Sequence, residues 1–95
     1  MHYVATCPIC EQGLVGVRIC CQGREPLALC DECEAIWYEP TCRGQPVFSR
    51  DERCPRCDQP LWRDEGRWAT RRDIERLGWT KRVIGQVRKR SGRGK

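Results

Sequence analysis

Histidine is nearly missing from this chain: His2 stands alone, close to the start. Its scarcity removes whole classes of chemistry. No Ser/His or Cys/His nucleophile pair can be assembled, and no H-E-x-x-H metalloprotease helix is present. The H-x-E and P-C-x-x-C pair of the zinc deaminases is absent as well, and so are the Walker loop and the dinucleotide fingerprint. A chain with none of these is expected not to be an enzyme and to have no small-molecule substrate. No run of about 18 apolar residues exists, so no membrane-spanning helix is expected. The opening Met-His-Tyr-Val-Ala-Thr-Cys lacks the basic and apolar regions of a signal peptide, which gives a cytoplasmic location as the expectation.

Bulky apolar residues are also few. In 95 residues the candidates for a core are Ile9, Leu14, Val15, Val17, Ile19, Leu27, Leu29, Ile36, Trp37 and Tyr38, and they cluster around cysteines. A chain of this size buries too small a share of its surface to fold comfortably on apolar contact alone. The nine cysteines are the obvious staple. In a reducing compartment their paired C-x-x-C spacings favour metal over disulfides, and the odd count would leave one unpaired in any all-disulfide scheme.

Cys7 and Cys10 form one C-x-x-C knuckle and Cys30 and Cys33 another, with nineteen residues between the pairs. Zinc prefers a tetrahedral set of soft thiolates, and two cysteines three positions apart both reach one ion from a tight knuckle. The interval has the length of a β-hairpin. Leu14 to Cys20 is rich in β-branched residues, Pro26 to Cys30 is a second short apolar run, and the Gln22-Gly23-Arg24-Glu25 turn between them places Gly23 where positive φ is needed. A two-stranded hairpin with a knuckle at each foot is the expected zinc ribbon, over residues 1–40.

The Cys7-Pro8-Ile9-Cys10-Glu11-Gln12-Gly13 and Cys30-Asp31-Glu32-Cys33-Glu34 segments resemble the knuckles of bacterial zinc-ribbon proteins, including the N-terminal ribbon of MqsA-type antitoxins. The resemblance covers about residues 5 to 40. It implies a bacterial zinc-ribbon fold and a bound Zn²⁺, but no particular function, since such ribbons serve many.

An internal echo follows. Cys54-Pro55-Arg56-Cys57-Asp58-Gln59-Pro60-Leu61 repeats the form of Cys7 to Leu14, C-P-x-C-[E/D]-Q-[G/P]-L, as a degenerate second knuckle within 41–66. No cysteine pair comes after it, so a second ion would draw its other ligands from upstream, with Cys20, Cys21, Cys42 and His2 as the choices. Neighbouring side chains on a strand face opposite ways, so one of Cys20 and Cys21 is expected to aim at the site. The expected set is Cys42, Cys54 and Cys57, with Cys21, or else Cys20, as the fourth. One or two zinc ions are therefore expected. Cys20 and Cys21 also admit a vicinal disulfide, disfavoured by ring strain.

Asp31 to Tyr38 is expected to begin a helical turn, and Pro40, Gly44 and Pro46 mark a loop. Residues 67–87 are expected to form a short basic helical segment: Thr70 and Asp73 have capping-box spacing, Arg71 to Leu77 follows, and Gly78 stops it. Val83, Ile84 and Val87 are expected on one face of a further helical turn. Residues 88–95 have no apolar periodicity and are expected to be a disordered basic tail.

Charge divides the chain. Residues 1–66 carry seven arginines against eleven Asp and Glu, a net −4, whereas 67–95 carry eleven Lys and Arg against Asp73 and Glu75, a net +9. Arginine outnumbers lysine fifteen to three, and guanidinium groups bind phosphate bidentately and stack on bases. RNA or DNA is therefore the expected partner, held by Arg71, Arg72, Lys81, Arg82, Arg88, Lys89 and Arg90. Charge runs are also commonly just solvated. The alternative is a protein-interaction adaptor, antitoxin-like, phage-encoded or polymerase-binding, that offers an acidic ribbon with Trp37, Tyr38, Trp62, Trp68 and Trp79 as anchors.

Overall fold

A computed structural model describes residues 1–49, 51–62 and 67–88. Its centre is the hairpin of β2 (Leu14–Cys20) and β3 (Glu25–Cys30), paired antiparallel from Val15 opposite Cys30 to Cys20 opposite Glu25. From Val15 onward every residue of β2 is buried. This accounts for its poor apolar-polar alternation, since a strand covered on both faces reads as a near-continuous apolar run.

The two faces hold two cores. Val15, Val17 and Ile19 of β2 share one with Ala28, Cys30, Ala35 and Trp37. Leu27, Leu29, Ile36 and Cys20 lie in the other, as period-two alternation requires. The sheet is larger than the hairpin alone. β4 (Ala35–Trp37) pairs with β3, and β5 (Val47–Phe48) pairs with β4. On the other side, β2 meets β1 (His2–Thr6) near its start and β6 (Arg67–Trp68) near its end, and β7 (Gly85–Gln86) pairs with β1. Among the described residues the result is a small antiparallel sheet of seven strands.

Each face has its own cover. α1 (Arg71–Leu77) places Ile74 and Leu77 on the first core, joined by Trp79 and Val83. Segment 51–62 places Cys54, Leu61 and Trp62 on the second, beside Trp68. α1 is fixed by local chemistry: the Thr70 hydroxyl accepts from the Asp73 N–H, the Asp73 carboxylate accepts from the Thr70 N–H, and Gly78 ends the helix at φ 76°, the left-handed conformation that suits glycine.

Two expected elements differ. After Cys33 the chain forms strand β4, not a helical turn, because Ala35 and Trp37 fill one core while Ile36 fills the other. The 67–87 segment is helical only in part. β6 opens it, and a single 3₁₀ turn over Thr80–Arg82 ends at Val83 in extended conformation. Val83 then packs inward while Ile84 is exposed, and β7 follows because His2 and Tyr3 offer a strand edge to Gln86 and Gly85. Among the described residues no helix is long and apolar enough to cross a membrane.

Candidate metal centres

Three knuckles share one backbone path. The fourth residue after each leading cysteine has positive φ: Glu11 at 60°, Glu34 at 65° and Asp58 at 63°. The Glu11 N–H donates to the Cys7 carbonyl at 3.0 Å, and the Asp58 N–H to the Cys54 carbonyl at 2.7 Å. The echo in sequence is thus an echo in geometry. Each knuckle also aims amides at sulfur. Ile9 donates to Cys7, Gly13 to Cys10, Glu32 and Cys33 to Cys30, and Arg56 to Cys54, at 3.3–3.4 Å.

Cys7, Cys10, Cys30 and Cys33 come together at the feet of the hairpin, with all four sulfurs within 4.8 Å of one another. Cys7 to Cys33 and Cys10 to Cys30 are each 3.7 Å apart. A tetrahedral ion with metal–sulfur bonds of about 2.3 Å has edges of about 3.8 Å, so the donors fit. Burial pushes the Cys30 and Cys33 thiols up, whereas the Gln12 and Gly13 amides bring Cys10 down to about 7. Gly13 makes the close approach possible, since a Cβ there would lie 2.7 Å from Cys30 Sγ and 2.8 Å from Asp31 Oδ1.

The second group stands at the hairpin tip on the opposite face: Cys20, Cys21, Cys54 and Cys57, again within 4.8 Å. Five residue steps along β2, from Val15 opposite Cys30 to Cys20, separate the two centres, about 17 Å along the strand. Cys21 lies 3.6 Å from both Cys20 and Cys54, and Cys20 lies 2.7 Å from Cys54. Cys21 and Cys57 are joined as a disulfide, so the structure presents the oxidised pairing, while the same four sulfurs in reduced form could hold an ion.

Two expectations are corrected here. Cys20 and Cys21 both face the second group, because β2 ends at Cys20 and Cys21 already belongs to the turn, at φ 59°; the strand rule of opposite faces does not reach it. Cys42 lies elsewhere. Its loop is pinned by Trp37 Nε1, which donates to the Gly44 carbonyl, and Cys42 packs half-buried against the first core. Burial and the nearby Cys7 push its thiol up to about 11. His2 belongs to neither group and sits in β1 opposite Gln86.

Beside the second group lies a residue that the sequence reading passed over. Arg18, fully buried on β2, places its guanidinium over the rings of Trp62 and Trp68, at 4.9 and 4.8 Å from their centroids. Its Nε and Nη2 both donate to the Leu61 carbonyl, at 2.9 and 2.6 Å, and burial lowers it to about 10. Arg18 and Cys20 share a strand face, so four thiolates around a divalent ion, net −2, would place negative charge near this buried cation. The one sequence sign was a charged residue inside an otherwise apolar strand.

The expected phosphate-binding residues Arg71, Arg72, Lys81, Arg82 and Arg88 are all exposed. Arg71 faces Glu75 at 3.5 Å, and among the described residues no carboxylate lies within 4.0 Å of the other four. Lys89 and Arg90, with the rest of the expected disordered tail, lie outside the described residues. The tryptophans are largely spent on packing: Trp37 is buried, and Trp62, Trp68 and Trp79 are half-buried against the two cores. Tyr38 is exposed, under the Arg56 guanidinium at 4.2 Å.

Comparison with known proteins gives no matching family, no matching curated protein and no matching solved structure. What the chain itself presents is a small antiparallel sheet with two cysteine groups able to hold metal ions, consistent with a zinc-ribbon-like fold.

Proposed function

We infer that this protein is a non-catalytic binding module stabilised by two structural Zn²⁺ ions, one in each cysteine tetrad, and that its basic C-terminal segment contacts RNA or DNA. The observation that carries the reading is the pair of four-sulfur groups on opposite faces of one hairpin. Four thiolates suit zinc and leave no open coordination position for a reacting water. The partner is argued from charge: Arg72, Lys81, Arg82 and Arg88 are exposed without a carboxylate close by among the described residues. Such cations are free to displace counterions from a phosphate backbone. The adaptor alternative would rest on exposed Tyr38 and on the half-buried Trp62, Trp68 and Trp79, since Trp37 is buried.

Counterion release supplies the experiment. Each duplex-DNA phosphate neutralised contributes about 0.9 to the slope of log K against log salt. Replacing Arg88, Lys89 and Arg90 together by alanine should lower that slope by about 2.7, alike for every sequence, with zinc content unchanged. An unchanged slope removes these three residues from the contact, and no binding of RNA or DNA at low salt removes nucleic acid as the partner.

A further inference from the structure

Both tetrads bring sulfur near solvent, Cys10 and Cys33 in the first and Cys57 in the second, but a cavity opens at the second. Cys20 and Cys54 are buried almost completely and Cys21 nearly so, but Cys57 is half-exposed. Cys21 and Cys57 also line an open cavity of about 440 Å³ whose other walls include Arg24, Arg56, Gln22 and Gln59. That volume is within the usual range for a small-molecule site. Its composition is two sulfurs of a metal-binding group, two guanidinium groups, two amides and the Glu25 carboxylate. Glu25 contacts Arg56 at 3.5 Å, across a solvent-exposed pair.

We propose that the second tetrad is a releasable metal site, opened by an anionic disulfide of the glutathione disulfide class that docks in this cavity and reacts at Cys57. This rests on the reading that the reduced tetrad binds zinc. The Cys57 thiolate attacks one sulfur of the disulfide, so that a mixed disulfide forms and one thiolate leaves. The Cys21 thiolate then attacks the Cys57 sulfur and expels the second thiolate. Two cysteine thiolates are oxidised by two electrons and one disulfide is reduced to two thiolates, which balances charge and atoms. The ion keeps only Cys20 and Cys54 and dissociates.

Each role has a structural reason. Cys57 is the accessible thiol, and attack depends on access. Cys21 is the resolving thiol because its Cα is 5.9 Å from that of Cys57 and the two are joined in the structure, a spacing within the range that a disulfide spans. Cys20 and Cys54 are spared by burial. Arg24 and Arg56 offer the charge-assisted hydrogen bonds that carboxylates of such a disulfide require.

The test starts from the reduced full-length protein loaded with zinc, treated with glutathione disulfide and followed by native mass spectrometry and cysteine mapping. The expected result is loss of one ion, a single Cys21–Cys57 disulfide, retention of the other ion, and recovery on adding dithiothreitol and zinc. Cys21→Ser should instead accumulate one glutathione adduct on Cys57. Arg24→Gln with Arg56→Gln should slow the reaction roughly three- to tenfold and leave the rate with uncharged hydroxyethyl disulfide unchanged. If both ions survive, if the disulfide maps to another pair, or if the double variant slows both reagents alike, exchange at this cavity is wrong although two zinc sites still stand. A reduced protein that carries a single zinc overturns the second site itself.

Discussion

Gly13 shows how little room the first centre has. Its amide donates to Cys10 Sγ, its carbonyl accepts from the Cys7 N–H, and any Cβ would press against Cys30 Sγ and Asp31 Oδ1. Gly13→Ala should therefore cost the first ion: zinc stoichiometry on the purified variant should fall from two to one, and a full complement of two would show that the knuckle yields. Arg18 is tested differently. Arg18→Leu leaves the buried Leu61 carbonyl without its two donors, which should cost about 1–3 kcal/mol in urea unfolding. At this scale the C-x-x-C knuckles were legible because a knuckle is local, four residues and the amides beside them. Cys20 was not, because the rule of opposite faces was carried across Cys20 and Cys21, whereas Cys21 already lies in the turn at φ 59° and so faces the same way. Nor was the exclusion of Cys42, which follows from the Trp37 to Gly44 hydrogen bond that ties its loop to the other face.

Among the elements, α1 was readable and β4 and β7 were not, for a common reason. A capping box and a left-handed glycine act within a single turn, so they can be recognised in a short sequence window. A strand of two or three residues exists because a distant edge receives it: β7 needs β1, more than eighty residues earlier in the sequence, and β4 needs both cores. The strength of α1 lies in Asp73. Arg67 most of all, with the Thr70 backbone and hydroxyl, holds its carboxyl well below the usual carboxylate range, against the opposing effect of burial. A depressed carboxylate contributes stability above its unfolded value of about 3.9, and that contribution is lost as pH falls through the folded value. Asp73→Asn should thus cost about 1–2 kcal/mol near neutral pH, and in urea unfolding the gap to wild type should narrow as pH falls below about 4. A gap that stays constant down to strongly acid pH would mean that Asp73 acts as a shape and not as a charge.

For the molecule as a whole, the question is which centre the fold depends on. A structural zinc site contributes roughly 10–16 kcal/mol of apparent binding free energy, as much as the whole net stability of a domain, about 5–15 kcal/mol. Removing both ions by chelation under reducing conditions should abolish near-UV circular dichroism and amide NMR dispersion, and a dispersed spectrum without metal would remove zinc from the account of folding. The two centres should not contribute alike. Cys30 is one of the four sulfurs of the first group, a fully buried member of the first core and the residue paired with Val15 in the hairpin ladder. Cys30→Ser should therefore collapse the sheet along with the site. Cys54 belongs to the segment that covers the second face. In Cys54→Ser that cover should loosen and expose Leu27, Leu29 and Ile36, while the first centre continues to hold the hairpin through Cys7, Cys10, Cys30 and Cys33. The expected record is one zinc per chain, shifted amide signals for Ile19, Cys20 and Leu27, and near-native signals for Val15, Val17 and Cys30. If Cys54→Ser instead unfolds the chain as completely as Cys30→Ser, the two faces fold as one unit, and the hairpin with its first ion cannot stand without the second.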